Sequence, residues 1–151
     1  MKYQFLFVLL LVVVTMVSGC GGNASTAISP TSTTESQSVE DRASLMAALQ
    51  ASGVTVEVGD PITQAFFTPE GKIIKVNGAD VQVFEYESSE AMENEASQVA
   101  PDGGSIGTSM VDWIDTPHFY KAGRIIALYV GSDETILNLL TSVMGPQFAG
   151  R

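Results

Sequence analysis

The sequence predicts an α+β fold, an antiparallel sheet of hairpins with helices packed on one face. Three observations carry this expectation. Lys72 to Val76 and Ala79 to Tyr86 flank Asn77-Gly78, a dipeptide whose residues both tolerate the positive φ of a tight hairpin turn. Pro117 to Lys121 and Arg124 to Val130 flank Ala122-Gly123 in the same way. Three stretches with helical spacing of apolar residues stand beside these hairpins, beginning near Ser38, Ser88 and Ser132.

Ahead of the folded part come Lys2, the apolar run Phe5 to Val17, and then Val17-Ser18-Gly19-Cys20. One positive charge, a short apolar core and small residues before a cysteine are the parts of a secretory signal peptide. The run is too short for a membrane span, which takes about 20 residues. The pattern resembles the bacterial lipoprotein signal, with Cys20 as the residue that is modified. The resemblance implies cleavage before Cys20, a diacylglyceryl group on its thiol, and acyl chains such as palmitate holding the protein to a membrane it does not span. Two or three chains make a firm anchor where one does not. The implied place is the extracytoplasmic face of the cell membrane or the outer membrane. Gly21 stands where an Asp would resemble an inner-membrane retention signal, which favours the outer membrane in a two-membrane cell. Residues 1–19 are then signal peptide, 20–37 the lipidated Cys with its tether, and 38–151 a single α+β domain.

Composition narrows the function. Lys2 leaves with the leader, so 17 acidic side chains face 7 − 1 = 6 basic ones, a formal charge of −11. That field repels phosphate backbones and argues against nucleic acid as a partner, while favouring a cationic one. With the one cysteine given to lipid, the domain has no thiol for a disulfide, a nucleophile or a zinc ligand. Gly21 to Gln37 is almost all small and polar and buries too little to fold. It reads as a tether reaching on the order of 20 to 25 Å.

The elements then follow in order. Ser38-Val39-Glu40-Asp41 resembles a capping box, Leu45, Met46 and Leu49 form a buried stripe, and Gly53 supplies the stop. Val54, Val56 and Val58 alternate with polar residues as a strand that Gly59-Asp60-Pro61 breaks. Ile62 to Phe67 is ambiguous before the turn Thr68-Pro69-Glu70-Gly71. After the first hairpin, Ser88 or Ser89 caps a helix that turns Met92, Ala96 and Val99 inward. Thr108 to Ile114 reads as a strand. Following the second hairpin, Ser132 or Asp133 caps a helix with Ile136, Leu137, Leu140, Val143 and Met144 as its apolar face and Gly145-Pro146 as its end. Sliding the chain by 45 residues lays Val81 on Ile126, Val83 on Leu128 and Phe84 on Tyr129, so a duplicated hairpin and helix with pseudo-twofold symmetry is one reading. Any two hairpin-helix units giving such matches is the other.

Gly103-Gly104-Ser105-Ile106-Gly107 matches the string of a serine-hydrolase elbow, but the order here is helix, loop, strand rather than strand, serine, helix. Ser105 therefore reads as part of a loop. Asp112 to Tyr120 is the densest polar and aromatic stretch, and from it Trp113, Asp115, His118 and Tyr120 are the candidate binding residues. Its bland alternative is a strand-turn-strand edge with alternate rings inward. Glu85, Glu87, Glu90, Glu93 and Glu95 read as a solvated face, with docking of a cationic peptide or calcium as the other use. No spacing supports a metal site or a cofactor.

Gly78 to Phe84 and Pro117 to Arg124 resemble segments of small lipid-anchored bacterial proteins without an assigned activity. The resemblance carries over no catalytic residue. The reading is a noncatalytic, membrane-anchored module that binds another envelope protein or a small molecule. A small hydrolase using Asp112, Asp115 or His118, and a structural subunit of an envelope complex, are the alternatives.

Overall fold

Asp41 starts the first helix. Its carboxylate accepts from the Ser44 N–H at 2.8 Å, and Ser44 Oγ accepts in return from the Asp41 N–H at 2.9 Å. This reciprocal box replaces the one expected at Ser38, whose hydroxyl donates instead to Glu40 Oε1 at 3.0 Å. The Ser44 N–H, then its hydroxyl, and then the Arg124 guanidinium hold the Asp41 carboxyl below its ordinary 3.8. The computed structural model that shows this describes residues 38 to 151. The leader, Cys20 and the tether lie outside the described residues.

α1 (Arg42–Ala51) buries Leu45 and Leu49 and ends at Gly53, with φ +83. β1 (Val56–Ile62) runs through the Gly59-Asp60-Pro61 segment that was expected to end it. Its register with β2 (Gly71–Val76) shifts between Val58 and Pro61, a bulge that absorbs the proline. The position is an edge strand, where a missing N–H is tolerated. β2 and β3 (Ala79–Glu85) form the expected hairpin, closed by Val76 opposite Ala79 with Asn77 at φ 49 and Gly78 at φ 87. Ser88 caps α2 (Ser89–Ala96), its Oγ accepting from the Ala91 N–H.

A small hairpin follows, β4 (Ser105–Ile106) with β5 (Ser109–Met110). The strand expected over 108–114 is thus confined to two residues. β6 (Pro117–Ala122) and β7 (Ile125–Val130) form the second large hairpin, and Asp133 caps α3 (Glu134–Met144). β8 (Ala149–Gly150), unforeseen, pairs with the outer side of β6.

The six-stranded sheet has the order β1-β2-β3-β7-β6-β8, and every neighbouring pair is antiparallel. The fold is α+β, as expected, but the helices occupy both faces. Ile74, Val76, Val81, Val83, Ile125 and Ala127 meet α1 and α3 in a first core. Phe84, Phe119, Ile126 and Leu128 meet α2, the β4-β5 hairpin and Phe67 in a second. The correction follows from strand periodicity: adjacent residues point to opposite faces, so Ile125 and Ile126 both need cover. α3 uses Ile136, Leu140 and Met144 in the first core and turns Thr135, Asn138, Thr141 and Ser142 outward.

The 45-residue echo does not correspond to a symmetry axis. Val81 and Val83 face the first core, while Ile126 and Leu128, onto which they slide, face the second. A twofold normal to the sheet between β3 and β7 would keep equivalent residues on one face, and α2 and α3 with them. They lie on opposite faces instead.

Candidate functional site

The loop between β5 and β6, residues 111–116, sits on the second face of the sheet. Gly107, at φ 57, closes the β4-β5 turn that feeds it, and the Val111 N–H donates to Gly104 O at 3.1 Å. Trp113 anchors it. The indole Nε1 donates to Gly103 O at 2.7 Å, and the ring meets Phe119 and Phe66 edge to face at 5.8 and 5.9 Å between centroids. Such T-shaped pairs favour the ring quadrupoles and add to apolar burial. Phe66 and Phe119 each touch Phe67, which leans on Phe84, so the loop rests on an aromatic chain reaching the sheet's centre.

Val111 also packs against the second core, and the side chains between and beside these two anchors are exposed. Ile114 is 99 % exposed and Met110 91 %, and Asp112 and Asp115 are also exposed. Two hollows flank Trp113. One of about 350 Å³ is polar in character, with Asp102, Asp112, Asp115, Pro117 and Arg151 around the indole. The other, of about 270 Å³, lies between the indole and Gln64, Phe66, Gln82 and Ile114. In the first, the Gly104 N–H donates to Asp102 at 2.9 Å and Arg151 lies 3.6 Å from its carboxylate. The backbone bond first, and the guanidinium after it, hold Asp102 below 3.8, ionised at neutral pH. Asp112 and Asp115 make no ion pair among the described residues, so the hollow keeps unmatched negative charge.

The candidate residues are divided by the sheet. Trp113 and Asp115 share the first hollow with Asp112. His118 and Tyr120, two apart on β6, lie on the opposite face. His118 is 5 % exposed, with Nδ1 2.7 Å from Gln147 Oε1 and its ring stacked on Tyr129. Tyr120 is a core residue of the first face, its hydroxyl 3.4 Å from Leu137 O. Asp112 and Asp115 thus form one group and His118 another. Ser105 lies in β4 with a glycine-rich turn on each side, not at a strand-to-helix elbow.

Phe66, Phe67 and Phe148 were not among the residues expected at the site. The first two stood in the segment that read ambiguously, and the adjacent rings before Thr68-Pro69 were the available signal. The acidic run is also divided. Glu85 pairs with Arg124 at 2.5 Å and Arg42 at 3.7 Å, Glu93 pairs with Lys121, and Glu95 accepts from the Thr68 hydroxyl. Among the described residues no group of three or more His, Cys, Asp or Glu side chains could hold a metal ion, and no helix is long and apolar enough to cross a membrane. Comparison of the chain with protein-family models, with curated proteins and with solved structures finds no match.

Proposed function

We propose that the protein is a lipoprotein held through Cys20 at the cell membrane or the outer membrane. It presents residues 38–151 on the extracytoplasmic side as a noncatalytic module, and the 111–116 loop binds a cationic segment of another envelope protein. The observation that supports this reading is the exposure of Ile114 and Met110 around a Trp113 that is pinned by the Gly103 carbonyl and two phenyl rings. An apolar patch rimmed by carboxylates suits a partner that brings apolar contact and positive charge together. The rigid indole lowers the ordering cost of binding.

The hydrolase alternative needs an acid or base within hydrogen-bond reach of a partner group. Asp112 and Asp115 share a hollow, but His118 lies beneath the sheet, engaged with Gln147. That separation favours recognition over acid-base chemistry.

Two experiments bear on the two halves of the reading. Cys20→Ser should abolish incorporation of labelled palmitate and move the protein out of the membrane fraction; persistence of both would overturn the anchor. A photoreactive side chain at Ile114 in whole cells tests the loop, with the adduct expected to depend on Trp113.

A further inference from the structure

Four methionines fall within residues 38–151, and burial separates them sharply. Met92 is 2 % exposed and Met144 9 %, each inside one of the two cores, and Met46 packs half-buried on the first. Met110 is 91 % exposed. It sits on β5, pairs with Ser105 across the small hairpin, and its side chain belongs to neither core.

The chemistry of a thioether makes that difference count. A peroxide converts it to the sulfoxide, a polar group in place of an apolar one. In this two-electron oxidation a sulfur lone pair attacks one oxygen of hydrogen peroxide, the O–O bond breaks and an S–O bond forms. The second oxygen leaves as hydroxide and becomes water by taking the proton of the transferred one. The oxidant has to reach the sulfur, so a thioether closed in a core reacts only when the structure opens. Hydrogen peroxide carries no charge, and the acidic field of the chain does not hold it away.

Location gives the oxidation a consequence. Met110 immediately precedes the 111–116 loop and, with Ile114, supplies its exposed apolar surface. A sulfoxide at Met110 costs the folded domain little, because the side chain is solvated whether the chain is folded or not. It does take apolar area from the patch offered to a partner.

We infer that Met110 is a redox modification site, whose conversion to the sulfoxide by hydrogen peroxide switches off binding at the 111–116 loop and leaves the fold intact. The switching half rests on the function proposed above; the site of oxidation does not. A seated partner covers the sulfur, so the reaction acts on the free module. Methionine sulfoxide reductase reverses it, two thiols giving up their hydrogens to carry the oxygen off as water and joining as a disulfide.

The first measurement treats the full chain with hydrogen peroxide and follows each methionine by peptide mass spectrometry. Met110 should gain its oxygen about tenfold faster than Met46, Met92 and Met144, or faster still. The chain carrying that one oxygen should keep its thermal midpoint. Equal or faster reaction at Met46, Met92 or Met144, or a midpoint lowered by oxidation at Met110, would overturn the site. The switch is read from a photoadduct at Ile114 in whole cells, with and without peroxide. Peroxide should lower its yield in the native chain about tenfold, as expected for loss of one buried apolar contact. In Met110→Leu, whatever the starting yield, peroxide should leave that yield unchanged. Met110→Gln, which puts a polar amide at the same position, should give the low yield without peroxide. An equal loss in Met110→Leu, a native adduct indifferent to peroxide, or a full yield from Met110→Gln would overturn the switch. Absence of the Ile114 adduct before any treatment would overturn the proposed function and the switch that rests on it, while the order of oxidation is decided by the mass spectra alone.

Discussion

Phe119→Ala should destabilise the domain by about 3 to 5 kcal/mol and loosen the candidate recognition loop at the same time. The ring is fully buried on β6 and touches Trp113 at 5.8 Å, Phe148 at 6.1 Å and Phe67 at 6.4 Å between centroids. Removing it opens a void among Trp113, Phe148 and Phe67, and sheet hydrogen bonds hold β6 in place on both sides. The cost is therefore the lost transfer free energy together with a residual cavity. Trp113, the one tryptophan in the chain, loses one of the two rings that hold it upright. Urea unfolding measures the first effect and the indole emission of the folded variant the second, which should move to longer wavelength as water reaches the ring. A variant of native stability with native emission would show that the loop does not rest on this cluster.

The second large effect is expected at Gly123. Its φ is +52, and a Cβ there would stand 2.3 Å from Glu40 Cα and from Glu40 O. Gly123→Ala therefore combines two costs, about 1 to 2 kcal/mol for the left-handed backbone and about 1 to 3 kcal/mol for overpacking against main chain that cannot rotate away. The strain falls on the contact that docks the start of α1, where the Arg124 N–H donates to Glu40 O at 2.9 Å. Gly78→Ala is the matched control. Its φ is +87 with nothing within 4 Å of an added Cβ, so it should show the backbone cost alone. Denaturant midpoints of the two variants give the steric part by difference, and equal midpoints would rule that part out.

Much of the secondary structure was legible because local chemistry determines it. Asn77-Gly78 accepts the two positive φ values a tight hairpin needs, and Gly53 and Gly145 end helices for the same reason. Ser88 and Asp133 are caps whose side chains reach backbone N–H groups within three residues. What failed to read depended on partners distant in sequence. Pro61 looks like a strand breaker until β1 proves to be an edge. Ala149-Gly150 is a strand only because β6 has a free side. The cover on both faces was signalled by Ile125 to Val130, an apolar run without alternation, which the expectation of helices on one face left unexplained.

The site was legible in part for a related reason. The spacing of His118 and Tyr120 places them on one face of a strand, but which face is set by the packing of α1 and α3. Trp113 and Asp115 belong to a loop whose apolar residues imitate a strand, and only the tertiary structure shows Ile114 turned to solvent.

In the function proposed above, residues 111–116 are the surface that meets a partner. The direct measurement is photocrosslinking from Ile114 in whole cells, with Val58, 61 % exposed on the edge strand β1, as the reference position. The expected result is a discrete adduct from Ile114 that is absent from Val58, disappears in Trp113→Ala and weakens when salt is raised. Equal adducts from both positions, or an Ile114 adduct indifferent to Trp113, would contradict it.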